Sequence, residues 1–208
     1  MPALGGRRLA EPDSAATLRA PVIDLDDDDD DDDGFVELRV ALPNHAEASV
    51  ELLWAEALGD DEYVLRATPV FAYGLNRGDR VRASAPTKAG MAPSIDAVVA
   101  AGGHRTLRVT FLRSTLPRLR LPMMDALREF GVSYEGSLMR PLAVDVPVNA
   151  DYRGAVAQLK QWSTQGRLHF TTCEARVVGS FDEAPDQDTP AAIAALRERR
   201  RRSRRMRF

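Results

Sequence analysis

Thr106-Leu107-Arg108-Val109-Thr110-Phe111 alternates polar and apolar side chains, and Pro122-Met123-Met124-Asp125-Ala126-Leu127-Arg128-Glu129-Phe130-Gly131 then changes the apolar spacing to that of a helix. The first pattern has the period of a strand half-covered by a core. In the second, Met123, Met124, Leu127 and Phe130 share one face, Pro122 is suited to open the helix, and Gly131 is placed to cap its C-terminus. The rest of the second half repeats this order. Val132–Glu135 begins a short strand, and Leu142, Val144, Val146 and Val148 alternate, with Asp145 on the opposite face. Asn149 or Asp151 caps a second helix, whose Tyr152, Ala155, Val156, Leu159 and Trp162 keep helical spacing up to Gly166. A final strand opens at Leu168 and Phe170 and runs to about Val177. The order βαββαβ is that of the ferredoxin-like split unit.

That topology places the first and third strands side by side at the centre, with the fourth flanking the first. The helices then cover the face bearing Leu107, Val109, Phe111, Leu142, Val144, Val146, Leu168 and Phe170. The other face carries Thr106, Arg108, Thr110, Asp145, His169 and Thr171. Arg108 and Asp145 are expected to pair across adjacent strands, with His169 beside them.

Working back toward the N-terminus, residues 35–103 read as short strands. They are Phe35–Leu42, ending at Pro43-Asn44; Val50–Ala55, breaking at Gly59-Asp60-Asp61; Tyr63–Thr68; Asp79–Ala83; and Ile95–Ala100. Five such strands make a small curled sheet or open barrel that leans on the unit after it. The expected class is α+β: a five-stranded, open barrel-like β-unit (35–103), then a ferredoxin-like unit (104–180).

Charge delimits this core. Residues 1–34 carry eleven acids, including the unbroken run Asp26–Asp33, against three arginines, whereas 186–208 carry eight arginines against three acids. Residues 35–185 hold seventeen of each sign. The aspartates repel one another and bury nothing, so 1–34 is expected to be a disordered acidic leader. Thr189-Pro190 can start a helix through the following alanines, making 181–208 a linker and partly helical, Arg-rich tail. Arg199, Arg200, Arg201, Arg202, Arg204 and Arg205 occupy every face, which suits nonspecific electrostatic contact with nucleic acid. Arginine supplies 26 of the 28 basic residues, with Lys88 and Lys160 the lysines. One cysteine excludes a disulfide framework or multi-cysteine zinc site. No secretory h-region or apolar run of spanning length occurs, so the expected compartment is cytoplasmic and no membrane contact is expected.

Catalytic chemistry has no signature here. The outward positions of the central strands are threonine, arginine and aspartate, not the aromatics on which single-stranded RNA stacks. His45, His104 and His169 have no metal-ligand spacing, and no metal or cofactor is expected. A site using His104, His169 and Asp145 remains geometrically conceivable beside the plainer reading of a turn histidine and an interface histidine. Cys173 has no local activator. Gly102-Gly103 precedes a strand, not the helix that a phosphate cradle requires. Gly78-Asp79 reads as a tight turn. Trp54 and Tyr73 suit core packing or, if exposed, anchoring of a protein partner.

The string Glu51-Leu52-Leu53-Trp54-Ala55-Glu56, then Tyr63, Pro69-Val70-Phe71-Ala72-Tyr73-Gly74-Leu75, Gly78-Asp79-Arg80-Val81 and Gly103-His104-Arg105-Thr106-Leu107-Arg108-Val109 resembles the bacterial domain-of-unknown-function family 4265. The resemblance is strongest from 35 to 112, extends to about 178, and covers neither tail. It implies that a shared site would fall at Trp54, Glu56, Phe71, Tyr73, Asp79, His104 and Arg108, and it carries no activity with it. The expectation is a non-catalytic protein-binding domain of the inhibitor, immunity or regulatory kind. One alternative is an enzyme or small-anion-binding domain with a site between the two units, using Arg108 and His104 or His169. The other is nucleic-acid binding through the arginine tail.

Overall fold

The computed structural model describes residues 18–19, 34–45, 47–86 and 88–183. The acidic run Asp26–Asp33 and the arginines Arg199–Arg202, Arg204 and Arg205 lie outside the described residues, so the expectations about them do too; of the expected leader, Leu18–Arg19 is described and is a short strand. The described residues form a mixed α+β protein with two sheets and two α-helices.

In the first unit, β2 (Phe35–Ala41), β3 (Val50–Gly59), β4 (Glu62–Leu65), β5 (Arg80–Ser84) and β6 (Ser94–Ala100) pair antiparallel in sequence order. The sheet's two ends meet in a single parallel bridge, Arg39 opposite Ser94, supported by Arg39 N–H donating to Pro93 O at 2.8 Å. The expected open barrel is therefore drawn closed. Leu38, Val40, Leu53, Ala55, Leu65, Val81, Ala83 and Ile95 point inward and form its core. The β3–β4 hairpin turns through Asp60 (φ 52°) and Asp61 (φ 58°), both left-handed, as the primed turns of twisted hairpins require. A two-residue strand, β1 (Leu18–Arg19), lies parallel to β3, Leu18 opposite Glu51.

The second unit runs β7 (Arg105–Phe111), α1 (Pro117–Leu127), β8 (Ser133–Gly136), β9 (Leu142–Val146), α2 (Tyr152–Thr164) and β10 (Leu168–Thr172). Its sheet order is β10-β7-β9-β8, antiparallel throughout. Leu107, Val109, Leu142, Val144 and Leu168 pack against Met124, Leu127, Ala155 and Leu159 of the helices. Asp151 caps α2, its side chain accepting from Gly154 N–H at 2.9 Å.

Three local expectations are corrected. Pro117, not Pro122, opens α1; Pro122 lies inside it. Proline at the first turn forfeits no hydrogen bond, so the helix starts at the earlier proline, whereas Pro122, past the first turn, has no N–H to donate to Arg118 O. Both β9 and β10 end early, at Val146 and Thr172. Beyond Thr172 the first unit captures the backbone, Gly74 N–H donating to Cys173 O at 2.7 Å.

Candidate functional site

The segment 66–79 of the first unit crosses the polar face of the second unit's sheet, and nearly every distinctive residue of the chain meets it there. Glu51 sits on β3 with its side chain inside. Its carboxylate accepts N–H groups of Val70 (2.6 Å), Phe71 (3.1 Å) and Ala72 (2.8 Å). Burial pushes its carboxyl above the ordinary range, opposed by these three N–H groups and the Arg108 cation. From β7, Arg108 reaches the opposite side of the same turn. Its guanidinium donates to Val70 O, to Phe71 O at 2.8 Å and to Tyr73 Oη at 2.6 Å. It also lies over the Tyr73 ring, 4.5 Å from the centroid, while Arg176 approaches the same ring at 4.2 Å.

Farther along the segment the fastenings continue. Glu135 of β8 accepts from Thr68 N–H, Thr68 Oγ1 and Arg77. Asp79 is buried and accepts from Asn76 N–H and Gly102 N–H, both at 2.8 Å. Gly102 is there for space: a Cβ would stand 2.3 Å from the backbone of Gly78. Thr106 Oγ1 donates to Asn76 Oδ1 at 3.0 Å.

The expected Arg108–Asp145 pair does not form. Asp145 lies opposite Thr106, and Arg108 lies opposite Ala143. Buried Asp145 instead meets His104 Nδ1 at 2.8 Å, so the carboxylate, which can only accept, orients the ring through Nδ1. His169 lies opposite Thr110 on the exposed part of β10, away from that pair. His104 immediately precedes β7, four residues before Arg108 and roughly 13 Å from it along extended chain, and Arg108 is turned to the carbonyls of 70–71. The structure therefore does not bring the expected Arg108, His104 and His169 to one point.

A shallow cleft of about 230 Å³ does open at the seam between the units, lined by Asn76, Arg105, Thr106, Tyr152, Cys173 and Glu174. Arg105 stacks on Tyr152 at 4.7 Å from its centroid. Burial raises the Cys173 thiol above its usual pKa, which keeps it protonated and unreactive. Among the described residues, no group of three His, Cys, Asp or Glu side chains converges to hold a metal.

Tyr73 and Phe71 are buried at the joint, whereas Trp54 stays on the outside. Trp54 lies opposite Glu37 on the outer face of β2–β3, with Phe35 diagonal to it across the pair. The exposures are 38% for Trp54, 45% for Phe35 and 50% for Leu58, the last at the register irregularity between Ala57 and Gly59. Glu56, on this face too, is ion-paired with Arg66. Sequence reading missed Glu51 and Glu135; for Glu51 the signal available was an acid at an inward position of an otherwise apolar strand face, whereas Glu135 shares a polar face with Ser133 and gave none.

A family model described as "Domain of unknown function (DUF4265)" matches residues 51–170. A solved structure described as "Novel crystal structure of a hypothetical protein from Neisseria gonorrhoeae" is similar in fold, with a TM-score of 0.53 at 17% identity, over 68% of this chain and 94% of that one. No curated protein matches. Among the described residues, no helix is long and apolar enough to cross a membrane.

Proposed function

We propose, from the premise that this chain belongs to the DUF4265 domain family, that it is a cytosolic binding module for another protein, with the outer face of β2–β3 as its contact surface. The observation that carries this reading is the exposure of Trp54 and of Phe35 diagonal to it, while Leu38, Val40, Leu53 and Ala55 on the inward face are buried. A large exposed aromatic with an apolar diagonal neighbour, set among Glu37 and the ion-paired Glu56–Arg66, is the composition of an interface anchor with polar contacts around it. The residues of the joint are engaged with one another, which supports assigning them a structural role. We read the second unit as a ferredoxin-like βαββαβ unit whose sheet face serves that joint: Thr106, Arg108 and Glu135 on it all hold segment 66–79. Affinity purification of the full-length chain from its native host is expected to retain one protein in stoichiometric amount. Recovery of none would count against the reading.

A second reading rests on the His104–Asp145 pair, whose free Nε2 could serve acid–base chemistry at the seam. A reaction there would use Arg105 of the adjoining cleft to hold an anion, since Arg108 is engaged elsewhere.

A further inference from the structure

The barrel of the first unit closes over only part of its length. β2 and β6 run parallel and meet where Arg39 lies opposite Ser94. β2 ends two residues later, at Ala41, whereas β6 continues to Ala100. Residues 97–100 therefore overhang, with β5 on one side and no strand on the other. Among the described residues, their backbone makes no hydrogen bond beyond the ladder with β5. Exposure agrees with this gap. Val98 lies opposite Val81, which points into the barrel and is fully buried, yet Val98 is 36% exposed and Val99 40%.

A free strand edge is a template for another strand, and proteins guard such edges with lysine, proline or an inward-pointing charge. The run Ala97-Val98-Val99-Ala100-Ala101-Gly102-Gly103 carries none of these. The nearest charge, Asp96, is turned toward β5, where Ser84 Oγ donates to it. The guard that remains is an irregular ladder to β5, with register shifts between Arg80 and Val81 and between Arg82 and Ala83. Shifts of this kind twist an edge but leave its outer N–H and C=O groups without partners.

The sequence of the edge suits a second copy of itself. In an antiparallel pairing about a two-fold axis at Val98, Val98 faces its own copy, Ala97 faces Val99, and Asp96 faces Ala100. No like charges meet, and small apolar side chains oppose one another across the pair. The second copy also covers the exposed side of Val98. So short a pairing buries less than about 1,200 Å², the range of weak and transient contacts.

We propose that the chain self-associates into a weak two-fold dimer in which β6 pairs with β6 of a second copy through residues 97–100. Analytical ultracentrifugation of the full chain tests this. From low micromolar to submillimolar concentration the weight-average mass is expected to rise from one copy toward two. Val99→Lys, which sets a charge on the open edge, is expected to remain at one copy over the same range, with its unfolding midpoint reporting that it still folds. Hydrogen exchange of the unsubstituted chain gives a second readout, independent of any variant: the amides of 97–100 should slow as concentration rises. A single copy at every concentration would overturn the proposal, and slow exchange in that monomer would show that another segment of the chain covers the edge. Association that survives Val99→Lys but is lost in Trp54→Arg would also overturn it, by placing the contact on the outer face of β2–β3.

Discussion

Glu51 and Arg108 grip opposite sides of one turn: the carboxylate takes the N–H groups of Val70, Phe71 and Ala72, and the guanidinium takes the carbonyls of Val70 and Phe71. One residue belongs to the first unit and the other to the second, so the turn between them is what joins the units. Backbone groups that would otherwise be orphaned inside the joint are satisfied by two opposite charges that also attract each other.

Replacing Arg108 by leucine removes three charge-assisted hydrogen bonds and leaves Glu51 buried without its counter-ion. The expected loss is about 3 kcal/mol. Urea unfolding followed by circular dichroism should show it as a lower midpoint. An unchanged midpoint would mean that Arg108 is free for other work.

Glu51 gives the joint a pH dependence. Its folded pKa is raised above 4.5, mainly by burial. Through the window from 4.5 upward the native state therefore holds more protons than the unfolded chain, and stability falls as pH rises. Glu51→Gln should remove this slope. Unfolding curves for both proteins between pH 4 and 8 would refute the assignment if their slopes coincided.

His45 acts in the opposite sense. Its Nδ1 accepts Glu47 N–H at 3.1 Å and Ala48 N–H at 3.3 Å, so the ring must stay neutral on that atom. Burial, then the Arg108 charge, lowers its pKa below 6.5. The unfolded chain binds this proton more readily, so the stability His45 contributes is present above 6.5 and lost as pH falls through the folded value. Nuclear magnetic resonance should find its titration below that of a free histidine, with exchange at the Ala48 amide rising at the same midpoint.

Gly102→Ala is predicted to be costly although its backbone is not left-handed. The new Cβ meets Gly78 C and O at 2.3 Å and Asp79 N at 2.8 Å, all backbone, so the Asp79 turn must move. A loss of about 3 kcal/mol is expected. Gly166→Ala, in open space at φ 68°, should cost only about 1 kcal/mol. Thermal melts of the two variants compare them directly; equal costs would remove close packing as the reason for Gly102.

The faces of the central strands were legible because the period of two separates Leu107 and Val109 from Thr106 and Arg108. Register was not. A slip of two residues preserves every face, so alternation could not choose between Ala143 and Asp145 as the neighbour of Arg108. On β3, Leu52 and Trp54 look like the core set, yet Glu51, Leu53 and Ala55 are the buried one. The carboxylate goes inside because three N–H groups from a segment about twenty residues on are waiting for it, a long-range contact that local pattern cannot show. The start of α1 was misread for a local reason, since two prolines five residues apart both fit a first turn. Helix count and the βαββαβ order needed no such distant information, whereas β1, paired with the distant β3, was not read from the sequence.

The joint accounts for most of the distinctive residues and leaves Trp54 without an internal task. Site-specific photo-cross-linking from position 54, with benzoylphenylalanine in place of Trp54 and the full chain expressed in its native host, tests the proposed division of labour most directly. The account predicts one dominant cross-linked protein from position 54 and none from the same group placed at exposed Arg153 on α2. The same background from both positions would contradict it.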